Sequence, residues 1–271
     1  MLIKEFRIVM PLSLDEYYLG SLYSVAKASL EETGGGEGVE ILVSEPFDNY
    51  PLFHGRYKSG VHSKKIHRVA NKVNWFLRKL APKEWLMAVE EAWNAYPYFK
   101  TILTNDQVGP ENRITIETLH VADRGTMENA LELPPEVLEK REVIMIDIAA
   151  ELVNQKDYKD STDPTKFKSK KTNRGPLRNN WSKSCQPVMC AYKVVTVEFN
   201  RWPLFKSKVE TYFQNEYKRT FQRFNRQIFC WVDEWYGLSL DQVRAFEVEM
   251  RKKMVEEMKS NTKRGVVGDE N

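Results

Sequence analysis

The sequence predicts an α+β fold, an antiparallel sheet closed by long helices. Three observations lead there. Strand-like segments recur without helices alternating regularly between them. Near the C-terminus, Val209, Phe213, Tyr217, Phe221, Phe224, Ile228 and Trp231 recur at three- to four-residue steps, the stripe of a long amphipathic helix. Two capping boxes, Ser13-x-x-Glu16 and Ser239-x-x-Gln242, mark helix starts. With 271 residues the chain is ample to bury a core.

In chain order, residues 2–10 read as a strand that Pro11 stops. A helix follows from the first capping box, with Leu14, Tyr18, Leu22, Val25 and Ser29 in helical spacing, up to the glycine-rich turn at 33–38. Residues 39–44 alternate as a strand, 45–60 form a loop rich in Pro, Gly and Asn, and 61–69 form another strand. A helix is expected around 73–80. Further strands are predicted at 98–104, 112–120, 142–149 and 188–199. Between the last two, 154–187 is basic and polar; a structureless stretch of that length inside a domain is usually functional or mobile. After the second capping box, Leu240, Val243, Phe246, Met250, Met254 and Met258 line one side of a last helix, and the tail NTKRGVVGDEN reads as frayed.

Composition excludes several functions. Hydrophobic residues make up 42% and charged residues 29%, which is globular composition. Net charge is only +3, from 41 basic and 38 acidic residues, and the one basic run, 166–178, lacks aromatics to stack bases; nucleic acid is not the expected partner. No stretch of about 18 apolar residues occurs. Three cysteines, Cys185, Cys190 and Cys230, suit a reducing compartment, and four histidines make zinc improbable. The N-terminus lacks a cleavable signal form, so a cytoplasmic location is expected. There is no G-x-S-x-G elbow and no H-x-x-x-H pair to suggest a hydrolase.

The informative pattern is polar residues on faces that should be inward. Side chains alternate across a strand with period two. In 188–199, Lys193 shares a face with Val195, Val197 and Phe199, opposite Tyr192, Thr196 and Glu198, which read as the wetter face. In 112–120, Thr118 follows Ile114 and Ile116. In 98–104, Thr101 sits between Phe99 and Leu103. In 61–69, Val61, Ser63, Lys65, His67 and Val69 share a face. On the last helix Glu247 falls inside the stripe of Val243, Met250 and Met254. Burying an unpaired charge costs several kcal/mol, roughly. These groups therefore pair with one another (Glu247 with Arg244 or Arg251, for instance) or they meet a polar ligand. A bulge would turn Lys193 to the other side. For a ligand, lysines and threonines suit a phosphate and a carboxylate suits sugar hydroxyls. Seven Trp, twelve Tyr and thirteen Phe fit either an aromatic core or a cavity lining.

Several long stretches resemble the phosphatidylinositol transfer proteins: MLIKEFRIVMPLSLDEY at 1–17, LYSVAKAS at 22–29, TGGGEGVEILVSEPF at 33–47, EAWNAYPY at 91–98, FKSKKTNRGPL at 167–177, MCAYKVVTVEF at 189–199 and FNRQIFCWVDEWYGLSLDQVR at 224–244. The resemblance spans nearly the whole chain and is closest to the single-domain form. It implies a START-like helix-grip fold over 1–258, in which a curved sheet and long helices enclose one phospholipid. Residues 259–271 would be a flexible tail contributing to a lid. It implies a carrier without catalysis or cofactor. The expected cargo is phosphatidylinositol or a second phospholipid, exchanged by a monomer that is transiently peripheral on membranes. A lipid-presenting or sensing module for phosphoinositide kinases is the alternative.

Carried over residue by residue, the family's inositol contacts fall on Ser63, Lys65, Asn94 and Glu247, with serine replacing threonine at Ser63. Phosphate contacts fall on Thr101, Thr118 and Lys193, and on Ser21, where the family has glutamine. Phe224 matches a lipid-lining aromatic. Phe99 stands where relatives have a reactive cysteine, so thiol alkylation should not inhibit there. The membrane-docking tryptophan pair is Arg201-Trp202 here, with Phe205 close by; arginine would serve anionic headgroups. Ser169, among Lys168, Lys170 and Lys171, resembles a regulatory phosphorylation site. WSKSCQPVM and WVDEWY resemble the class whose second lipid is phosphatidic acid; TGGGEGVE and EAWNAYPY resemble the class that takes phosphatidylcholine.

Overall fold

The computed structural model describes residues 2–260, apart from 35–37, 69–86, 106, 108, 110, 153 and 200–205. The helix expected at 73–80, residue 69 of the expected strand, Arg201, Trp202 and Phe205, and the tail from 261 lie outside these residues.

Eight strands form one sheet: β1 (Leu2–Met10), β2 (Gly38–Phe47), β3 (Gly60–Arg68), β4 (Met87–Ala95), β5 (Tyr98–Thr104), β6 (Arg113–Val121), β7 (Glu142–Ile146) and β8 (Met189–Glu198). Their order is β2-β3-β4-β5-β6-β8-β1-β7. All neighbours are antiparallel except β1 and β7, which run parallel. The wholly antiparallel expectation is corrected there: the connection after β6 crosses over before adding β7 beside β1. The helices are α1 (Leu14–Glu31), short α2 (Pro135–Leu138) and α3 (Trp181–Ser184), long α4 (Lys206–Cys230), short α5 (Val232–Trp235) and α6 (Leu240–Met258).

Both capping boxes close as the sequence predicts. Ser13 Oγ accepts from the Glu16 amide, and the Glu16 carboxylate accepts from the Ser13 amide at 2.8 Å. Ser239 and Gln242 repeat this at α6. These contacts satisfy amides that the first turn leaves unpaired. β1 lies between β8 and β7, and its Phe6, Ile8 and Met10 are fully buried; Phe6 packs edge-on against Phe221 of α4, centroids 5.4 Å apart.

The opposite side of the central strands is not wet. Tyr192 is fully buried. Its hydroxyl donates to Asp123 and accepts from the Met127 amide at 2.9 Å. Glu5, with 0% exposure, is bonded by Arg7 at 2.6 Å and by Arg141. Residues of the connection after β6 cover this face. That connection has no periodicity to announce itself, so only Thr196 and Glu198 at the strand end remain half-buried.

The expectation that 154–187 is structureless is also corrected. Short 3-10 turns occur at Gln155–Asp157 and Asp160–Thr162. Buried polar contacts anchor the segment to α4. Arg219 holds Asp157 at 2.5 and 2.8 Å, and Arg226 donates to the carbonyls of Thr162, Ile148 and Ala150 at 3.0–3.1 Å. Arg174 grips Glu16 at 2.8 and 3.0 Å. Removing one partner of a buried pair strands the other, so Arg219→Ala is expected to destabilise the fold by about 3 kcal/mol in urea unfolding.

Candidate functional site

The inner face of β2–β8, with α1, α4 and α6, walls a cavity of about 440 Å³. Strand register sets its polar groups in rows. Across β4, β5, β6 and β8, Asn94, Phe99, Thr118 and Lys193 stand opposite one another in turn. Two residues along, roughly 7 Å by strand rise, Ser63, Ala92, Thr101 and Ile116 form the next row. Lys65 faces Glu90 in the row after that. Gly60 permits the close approach of β3 and β4 at Asn94: a Cβ there would lie 2.1 Å from the Asn94 carbonyl oxygen.

Ser21, Ser63, Lys65, Asn94, Phe99, Thr101, Lys193, Phe224 and Glu247 all line the cavity. Thr118 is buried and meets it through Lys193, whose Nζ donates to Thr118 Oγ1 at 3.3 Å. The hydroxyl of Ser21 donates to the Tyr18 carbonyl at 2.8 Å and keeps its lone pairs for a donor.

Both arrangements that would satisfy inward charges occur. Lys65 Nζ donates to Glu90 at 2.7 Å, and His67 Nε2 lies 2.8 Å from the other Glu90 oxygen. These cations hold the Glu90 carboxyl well below the usual carboxylate range, against the opposing effect of burial. Arg244 pairs with Glu247 at 2.7 Å. Lys193 differs: among the described residues it meets no carboxylate, only Thr118 and, at 5.2 Å, the Phe221 ring. Desolvation pushes its ammonium down to about 8. His120, buried beside it on β6, is pushed down to about 3, first by burial and then by the Lys193 charge.

Glu90, His120 and Arg244 were not singled out from the sequence. Glu90 was detectable only with β4 in hand, since Ala88, Glu90, Ala92 and Asn94 then share one face. The far end of the cavity is apolar, with Leu22, Val39, Ile41, Met250 and Met254. Val25 marks its mouth, 45% exposed. There Arg251 of α6 donates to the Ile41 carbonyl of β2 at 3.2 Å, next to a register shift between Ile41 and Val43.

Ser169 lies outside the cavity and is 2% exposed. Its hydroxyl donates to Asp233 and accepts from the Thr172 amide at 2.9 Å. Among the described residues no cluster suits a metal ion, and no helix is long and apolar enough to cross a membrane.

One enclosed chamber, with a lone cation and self-paired charges at one end and apolar walls at the other, defines a lipid-binding protein of the helix-and-curved-sheet class. The model of the phosphatidylinositol transfer protein family matches residues 1–252. The chain is 45% identical to phosphatidylinositol transfer protein beta isoform of Rattus norvegicus, over 97% of both chains. Against the Homo sapiens beta isoform it is 45% identical, covering 98% of this chain and 96% of the relative. Phosphatidylinositol transfer protein 1 of Dictyostelium discoideum is 43% identical, covering 96% and 98%. The chain belongs to the phosphatidylinositol transfer protein family.

Proposed function

We propose that this protein carries one phosphatidylinositol at a time in its cavity and exchanges it between membranes. The observation that carries this reading is Lys193, an enclosed ammonium with no carboxylate partner among the described residues. A lipid phosphate supplies the missing counter-charge, joined by the hydroxyls of Thr101, Thr118 and Ser21. Ser63, Lys65, Asn94 and Glu247 then face the inositol ring. Lys65 and Glu247 already have ionic partners, so this end presents alternating donors and acceptors with little net charge, which suits a polyol. Phe224, Phe99 and the apolar walls take the acyl chains.

The second cargo is another phospholipid, phosphatidylcholine or phosphatidic acid, that shares the phosphate contacts. Exchange is transient and peripheral, by a monomer working in the cytoplasm, with Arg201, Trp202 and Phe205 as the docking group. The segment 1–258 acts as one lipid-binding domain. Helix α6 and the residues to 271 act as the lid. Ser169 is a modification site whose use requires the 154–187 segment to lift from Asp233, since a phosphate in the observed position would oppose that carboxylate.

Native mass spectrometry of the purified protein tests the reading directly: a bound phospholipid is expected, and its absence would refute the carrier. Lys65→Ala and Glu247→Ala are each expected to lower phosphatidylinositol transfer about tenfold and to spare the second lipid. Equal loss of both lipids would mean a damaged fold. Lipid retained without exchange would point to presentation to kinases instead.

A further inference from the structure

One polar group in the cavity wall is left over by this reading. His120 lies on β6 two residues beyond Thr118, on the same face. Thr118 stands opposite Lys193 on β8, so His120 is the diagonal neighbour of that lysine, at a backbone separation of about 7–8 Å. The Nδ1 atom of His120 lies 2.9 Å from the Pro97 carbonyl oxygen. A carbonyl only accepts, so the proton sits on Nδ1 and Nε2 carries a bare lone pair. Nε2 is buried and has no hydrogen-bond partner. The rings of Tyr17, Tyr96 and Phe99, with centroids 5.0–5.2 Å away, pack around the imidazole and fix its orientation.

An orphaned acceptor beside an unpaired cation sets a double requirement. The occupant must accept from Lys193 and donate to His120. A phosphodiester, as in phosphatidylcholine, meets only the first, because it has no O–H. A phosphomonoester carrying one proton meets both, and its single negative charge balances the single ammonium. A dianion would leave an extra buried charge. We propose that the second lipid is a phosphomonoester lipid, phosphatidic acid, with His120 Nε2 accepting from the phosphate O–H while Lys193 binds another phosphate oxygen. This rests on the carrier reading above. Burial and the Lys193 charge both keep the imidazole neutral, as the role demands.

The test is competitive loading. The protein is incubated with vesicles containing equal phosphatidic acid and phosphatidylcholine and a little phosphatidylinositol, and bound lipid is identified by native mass spectrometry. Wild type is expected to take phosphatidic acid over phosphatidylcholine. His120→Leu removes the acceptor, and the Pro97 carbonyl still receives the residue-120 amide, 3.0 Å away. The ratio of phosphatidic acid to phosphatidylcholine should then fall about tenfold. His120→Gln, whose side-chain carbonyl accepts, should restore most of it. Wild type loading phosphatidylcholine in preference, or a ratio unchanged in His120→Leu, would overturn the assignment even if the leucine variant folds poorly, since the first result needs no variant. Millimolar inorganic phosphate should not displace the lipid; displacement would assign the site to free phosphate. Absence of phosphatidylinositol as well would mean that the carrier reading has failed, a separate result in the same spectrum.

Discussion

Replacing Lys193 by methionine is expected to lower loading of every phospholipid by roughly 10- to 100-fold, because the phosphate is the group all of them share. Methionine fills nearly the same volume, so a packing defect is not the cause. The same substitution should make the empty protein more stable at neutral pH. In the empty cavity, burial lowers the Lys193 ammonium to about 8 from the usual lysine value of 10.5. A lowered lysine value penalises the charged folded state. The penalty is fully present below pH 8 and fades as pH rises from 8 towards 10.5. It is on the order of 3 kcal/mol. Lipid-free wild type should therefore gain stability, relative to Lys193→Met, as pH rises from 7 to 9.5. The loaded protein, whose phosphate favours the ammonium, should show no such gain, and loading itself should weaken above pH 8. Thermal unfolding with and without lipid at several pH values checks both. A parallel pH dependence in wild type and variant would contradict the role given to Lys193.

The second large effect is expected at Glu90. Its two oxygens are taken by Lys65 at 2.7 Å and His67 at 2.8 Å. Glu90→Leu strands the lysine in the cavity, and the expected loss is about 3–5 kcal/mol of stability. Phosphatidylinositol transfer should fall at least as far as in Lys65→Ala. The double replacement Lys65→Met with Glu90→Leu removes both charges and should recover most of the stability while leaving phosphatidylinositol transfer low. That non-additivity separates positioning of the headgroup from support of the fold. Additive losses in both quantities would argue that Glu90 acts only as a structural residue.

The elements most legible in the sequence were those with a dry face and a marked start. β1, β5, β6 and β8 alternate clearly or run apolar, and both long capped helices begin where serine and an acceptor stand three residues apart. β4 was missed for the same reason that it matters. Its inner face carries Glu90 and Asn94 because it borders a polar cavity, so the apolar alternation that reveals a strand is absent. The inward direction of Lys193, Thr101 and Glu247 followed from period alone. Pairing did not, because Lys65 meets Glu90 only through strand register. Nor could the anchoring of 154–187 be foreseen: Asp157 and Ser169 look in sequence like their exposed neighbours, and only Arg219 and Asp233 on distant helices distinguish them.

The support of α6 is unequal on its two sides. It packs extensively along α1, whereas on the β2 side contact is slight and includes the Arg251 hydrogen bond to Ile41. A hydrogen bond at an exposed site contributes on the order of 1 kcal/mol, while separating two packed helices costs several times that. The cheapest departure is therefore a roll of α6 about its line of contact with α1, which frees the β2 edge first. A lipid would then leave sideways between α6 and β2, acyl chains ahead and headgroup last. The slow step of release would be set at the polar end, far from the moving helix.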